Sequence, residues 1–211
     1  PKLGGFLPPL RFPRRMWAGG KVSFEGALRI GEPLLRRSEI VSVTEKDGAT
    51  GRMAFVKVAH VIEGENSAFI EEEQDIVYLE IPERYTPPAK KPVPGDLFFD
   101  ESVEVDEARL FRFSAATYNA HRIHYDKDYA ATVEKYPGLV VHGPMQAIML
   151  IEAAKRHTGR QPRTFKFRGL HPLLHEDGMR LTGRVTDGAV ELWAAATVGH
   201  ITMQAAMEGL V

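Results

Sequence analysis

The run GPMQAIMLIEAAKRHTG, Gly143 to Gly159, constrains the fold of this chain more than any other stretch. From Met145 to Ala154 only Gln146 and Glu152 are polar, so the helix it predicts has almost no face to give to water. Such a helix has to be buried. Pro144 suits its first turn, and Lys155, Arg156 and His157 before Gly159 mark its end. Strand-like segments follow at Thr164–Leu170, Arg180–Thr186, Val190–Val198 and Ile201–Met207. In Arg180–Thr186, Leu181, Gly183 and Val185 alternate with Arg180, Thr182 and Arg184, as in a half-exposed antiparallel strand. A buried helix followed by such strands predicts an antiparallel sheet wrapped around that helix, an α+β fold.

The first half carries a similar run of strands, at Val22–Leu28, Leu34–Thr44, Met53–Ile62 and Ala68–Leu79, parted by turn residues in KDGATG and EGEN. Before them GGFLPPLRFPRRMWAGG is rich in Pro and Gly and reads as an ordered loop. After them IPERYTPPAKKPVPGD holds five prolines in Ile81–Asp96 and reads as a semi-rigid linker. The expected organisation is therefore a first unit over residues 1–81, a linker over 82–98 and a second unit over 99–211. The second unit opens with a short strand near Ser102–Val105 and a helix capped by Asp106 that runs to about Thr117. No buried helix matches the first four strands. The expectation is two related α+β units in tandem, with the first lacking its N-terminal part and its helix lying upstream of Pro1.

A net charge of −1 argues against a nucleic-acid partner, and no apolar run approaches the roughly 20 residues of a membrane helix. With no cysteine, thiol nucleophiles, disulfides and thiolate metal sites are excluded. No signal-peptide pattern is visible, so the cytoplasm is the default compartment, or the mitochondrion in a eukaryote.

The stretch most concerned with chemistry is YNAHRIHYD, Tyr118 to Asp126, between a helix and a loop. His121, His124 and Asp126 with nearby His142 suggest a metal set. However, histidines three apart converge on a helix rather than across its end, and no H-E-x-x-H is present. No metal is expected. A hydrogen-bonded turn is the structural alternative, and acid–base chemistry the functional one, since histidine exchanges protons near neutral pH. Just downstream HGP opens the buried helix, where backbone N–H groups stand free and carry partial positive charge. Gly143 permits close approach, so its N–H could hold a carbonyl oxygen as that oxygen becomes an oxyanion. A base and an oxyanion donor are the minimum for moving water on or off the carbons next to a carbonyl.

YNAHRIHYD followed by YPGLVVHGPMQA resembles the active-site segment of the MaoC-like, R-specific enoyl-thioester hydratases and dehydratases. PRRMWAGG and EEEQDIVYLE add a likeness to the subgroup of mesaconyl-CoA hydratase and type-2 hydroxyacyl-thioester dehydratase. The resemblance implies a tandem (double) hot-dog fold, a homodimer, and no cofactor, an acyl-CoA or acyl-carrier-protein thioester being the substrate. It places His124 on the family's catalytic histidine and Gly143 on its oxyanion glycine. Asn119 stands where the widespread pattern has aspartate; an amide can orient water but cannot take up its proton. The implied mechanism has His124 as base, with Asn119 fixing the water.

Arg14 and Arg15 beside Trp17 are read either as surface residues or as contacts to CoA phosphates or a second substrate carboxylate. The latter would suit a mesaconyl- or itaconyl-type substrate. Tyr125 and His142 are further substrate-binding candidates, and Met145 either packs the core or lines an acyl tunnel. Glu71, Glu72, Glu73 and Asp75 read as a solvated strand edge. A hot-dog thioesterase and a non-catalytic acyl-CoA-binding module remain as rival functions.

Overall fold

The computed structural model describes residues 5–48, 51–65 and 68–211, and the turns read at KDGATG and EGEN fall partly outside them. Helix α3, Gly143–Thr158, lies against β6 (Thr164–Gly169), β7 (Met179–Thr186), β8 (Ala189–Ala196) and β9 (Ile201–Glu208). These four strands match the expected ones to within two residues at each end. Met145, Ala147, Leu150, Ala153 and Ala154 of α3 join Phe165, Leu181, Leu192 and Met203 of the sheet in one core. Gln146 is also buried, joined to the Thr202 hydroxyl at 2.7 Å, which removes the cost of an unpaired amide. The helix is not enclosed on every side. Ile148 is 52% exposed, so one apolar face stands open among the described residues.

The expected second-unit elements open with β5, Phe99–Val103, and α1, Glu107–Ala116, whose N-cap Asp106 accepts a hydrogen bond from Arg109 N. β5 pairs with β7 at one edge of the sheet. Two features of β7 depart from simple alternation. Thr182 is fully buried and donates to the Trp193 carbonyl, while Val185 is exposed near the strand end.

The first half differs more from expectation. β1 spans Arg14–Glu25, so the segment read as an opening loop passes into strand over Arg14–Gly20, and the strand read at Val22–Leu28 begins earlier and ends at Glu25. Its GG pair belongs there by close approach. A Cβ on Gly19 would lie 2.5 Å from the Phe167 carbonyl oxygen, and one on Gly20 2.4 Å from that of Glu73. β2 (Leu35–Gly48), β3 (Gly51–Glu63) and β4 (Phe69–Leu79) complete this half. All strands form one nine-stranded antiparallel sheet in the order β2-β3-β4-β1-β6-β9-β8-β7-β5. The halves meet where β1 pairs with β6. β4 is interior, not an edge. Glu71, Glu73 and Asp75 share one face of it at mid-sheet, with Lys57 paired to Asp75 at 2.8 Å and to Glu73 at 3.3 Å. Leu7, Leu10 and Phe12 pack against Ala54, Val56, Val58, Ile76 and Tyr78, and no helix of the described residues takes that place.

The chain is thus an α+β hot dog: a central helix packed on an antiparallel sheet. Among the described residues no helix is long and apolar enough to cross a membrane.

Candidate active site

The site is built where α1 ends and α3 begins. Beyond α1, Tyr118 takes φ 52, a left-handed conformation costly for a bulky residue, and turns the chain back. Asn119 N then bonds Ser114 O, and the Asn119 side-chain oxygen accepts from His121 N at 3.1 Å. This Asx turn leads into a 3-10 turn over Arg122–His124. Asp126 caps α2, Lys127–Thr132, by accepting from Tyr129 N, and it also pairs with Arg122. It is a structural residue.

His124 is buried, and its Nδ1 lies 2.7 Å from the Val140 carbonyl oxygen. A carbonyl only accepts, so Nδ1 carries the proton and Nε2 holds a free lone pair. Burial pushes its pKa down to about 4, against the hydrogen bond to Val140. The imidazole is therefore neutral near pH 7, with the nitrogen a base needs. Its ring stacks on His142, centroids 3.7 Å apart and planes 20° apart. His142 is wholly buried, precedes the first residue of α3 and lies 2.8 Å from Ser114 Oγ through Nε2. Burial, with the neighbouring histidines, pushes it down to about 3.

Gly143 begins α3, and its N–H belongs to the first turn, which has no intrahelical partner. A Cβ there would lie 2.9 Å from Trp17 Cε3, so only glycine lets the indole close over the helix mouth. Trp17 in turn stacks on Phe167 at 4.5 Å. His124, His142, Gly143 and Trp17 thus come together around one helix N-terminus.

The remaining candidates fall elsewhere. Arg14 and Arg15 are consecutive on β1 and point to opposite faces, so they cannot form one clamp. Arg14 is buried and ion-paired to Glu134 at 3.0 Å, which corrects its reading as a phosphate contact. Arg15 stays half-buried on the other face. Tyr125 is 39% exposed and donates to the Ala120 carbonyl, while Met145 is buried in the core and also borders an apolar opening with Phe113, Ile148 and Met149.

Sequence reasoning missed Glu134. It is 4% exposed and holds His121 Nε2 at 2.5 Å through Oε1 and Arg14 Nε through Oε2. Burial works against its charged form, but His121 and Arg14 outweigh that and keep its pKa below the usual carboxylate value. Lys135, next in the chain, also takes a left-handed φ of 65. A lone Glu in ATVEKYPG carries no motif signal.

A buried helix in an antiparallel sheet, with a free imidazole nitrogen at the helix mouth, defines a MaoC-like hot-dog site. A solved MaoC-like dehydratase has the same fold, with a TM-score of 0.75 at 13% identity over 93% of this chain and 75% of its own. The family model for hydroxyacyl-thioester dehydratase type 2 matches residues 1–175. Mesaconyl-C(4)-CoA hydratase of Chloroflexus aurantiacus is 44% identical over 210 residues, 99% of this chain and 75% of the relative. The mitochondrial hydroxyacyl-thioester dehydratase type 2 of Schizosaccharomyces pombe is 24% identical over 199 residues, 82% of this chain and 65% of the relative. The chain belongs to the hydroxyacyl-thioester dehydratase type 2 family, among the hydro-lyases that act on acyl thioesters.

Proposed function

We propose that this site adds water across the C2=C3 bond of an enoyl-CoA, or removes it from the 3-hydroxyacyl-CoA, with His124 as the base. The observation that carries this reading is the His124 tautomer. With Nδ1 donating to Val140 O, Nε2 is free, and the His124 ring stacks on His142, the residue before Gly143. The thioester oxygen accepts from that N–H. Nε2 takes a proton from water as its oxygen bonds to C3, the π electrons move toward the thioester oxygen, and C2 then gains a proton. One positioned acid–base group contributes about 10²–10⁴-fold and one oxyanion donor about 2.7–4 kcal/mol. That suffices for a β-carbon already activated by the thioester. The chemistry needs no cofactor.

The relative's name makes a branched dicarboxylic acyl group, mesaconyl- or itaconyl-like, the first substrate to try. Trp17 and Arg15 are the residues we assign to substrate, with Asn119 orienting the water. We further assign a CoA carrier in preference to acyl-carrier protein, a cytoplasmic location and a homodimer, the last testable by light scattering. A panel of enoyl-CoAs, including dicarboxylic ones, tests the reaction. Loss of enoyl-thioester absorbance without thiol release supports hydration, thiol release supports a thioesterase, and tight binding without turnover supports a binding module.

A further inference from the structure

With Asn119 in place, the turn carries no carboxylate beside His124, yet the fold supplies one from another element. Glu134 follows α2 in the chain and is among the most buried charged residues of the protein. One of its oxygens is fixed by Arg14 Nε at 3.0 Å, and Arg14 also donates to the Glu134 backbone carbonyl. The guanidinium lies 4.9 Å from the centre of the Tyr136 ring, which closes the pocket around it. Arg14 comes from β1, 120 residues earlier. A buried ion pair so held keeps the carboxylate charged and aims its second oxygen at His121 Nε2, 2.5 Å away.

His121 is therefore an oriented imidazole. Its backbone N–H is tied to the Asn119 side chain, and Glu134 fixes the proton on Nε2. Its ring meets the His124 ring edge-on, with centroids 5.6 Å apart. The His121 side chain is 18% exposed, against full burial for His142, so solvent reaches it. His124 has one free nitrogen and no carboxylate, so a second proton-carrying group beside it completes what hydration requires.

We propose that His121 is the second proton carrier of this site and that Glu134, clamped by Arg14, is its positioning residue. The inference rests on the hydratase reading. As the water oxygen bonds to C3, the water proton passes to His124 Nε2, and the C2=C3 electron pair moves onto the thioester oxygen. Protonated His121 then gives C2 a proton from the nitrogen that Glu134 does not hold. The proton on His124 returns to His121 through water, and both histidines are reset. One water is consumed and no other reactant is needed.

The test uses the purified full chain and an enoyl-CoA that the wild type hydrates. His121→Gln is expected to lower kcat by about 10²-fold with KM changed less than about threefold. Asn119→Asp in that background is expected to restore at least a tenth of wild-type kcat, since it puts a proton-carrying carboxylate on the same turn. Glu134→Gln is expected to lower kcat in the same way, whereas Glu134→Asp retains part of it. His121→Gln leaves the Arg14–Glu134 pair intact, so the test holds even where the Glu134 variants do not fold. Near-normal kcat in His121→Gln overturns the proposal, as does a loss that Asn119→Asp fails to rescue. A wild type that hydrates none of the panel overturns the hydratase reading and this proposal together, and that outcome is distinct because it precedes any variant.

Discussion

At the residue scale the account turns on one hydrogen bond. Because His124 Nδ1 gives its proton to the Val140 carbonyl, the other nitrogen is available for water. His124→Ala should lower kcat by about 10²–10⁴-fold while the protein stays folded, as read by steady-state rates beside a melting curve. Gly143→Ala should act through Trp17, because the new methyl group would lie 2.9 Å from Cε3 and push the indole off the helix mouth. A displacement of about 1 Å can cost up to roughly 10²-fold, and wild-type kcat/KM in this variant would contradict the close fit. His124 and Gly143 were legible because each stands in a contiguous motif. Glu134 and Ser114 were not, since a lone Glu or Ser signals nothing until the turn brings it to a histidine. Arg14 misled for the same reason. A double arginine reads as an anion clamp, but a strand sends its neighbours to opposite faces.

At the scale of elements, side-chain caps start the two helices, α1 and α2, that flank the site loop. Asp106 accepts from Arg109 N at 2.7 Å, and Asp126 from Tyr129 N at 2.9 Å. Asp106→Ala should destabilise the protein by about 1 kcal/mol, measured as a lower urea midpoint, with little change in kcat. Leu150→Ala, on the buried face of α3, should cost about 2–5 kcal/mol in the same measurement. The elements of the second half were readable because propensity, capping and burial agree there. The first part of β1, Arg14–Lys21, was not, because its glycines exist for close approach to Phe167 and Glu73, contacts that local sequence does not encode. The interior place of β4 was hidden too. Its acidic face signals solvent, and solvent reaches a mid-sheet strand as readily as an edge.

At the scale of the whole molecule, the site makes stability depend on pH. His124 and His142 are held neutral, with folded pKa values of about 4 and about 3 against an ordinary 6.5. A depressed histidine means that the unfolded chain binds the proton first. Their contribution is complete above about pH 6.5 and is lost as pH falls toward the folded values, at about 1.4 kcal/mol per pH unit for each. Glu134 adds its own loss only below its ordinary 4.5, where its carboxylate takes up a proton. The urea midpoint should therefore fall steadily from pH 6.5 to pH 4.5, and more gently in His142→Asn; a flat midpoint over that range would show the histidines to be solvated. The central claim, however, concerns chemistry. It is tested most directly by following an enoyl-CoA with the wild-type protein and with His124→Ala while recording enoyl absorbance and free thiol together. The account predicts loss of the enoyl signal and formation of a 3-hydroxyacyl-CoA, no thiol, and a rate reduced by about 10²-fold or more in the variant. Equal rates in the two proteins, or thiol released in step with the absorbance change, would contradict it.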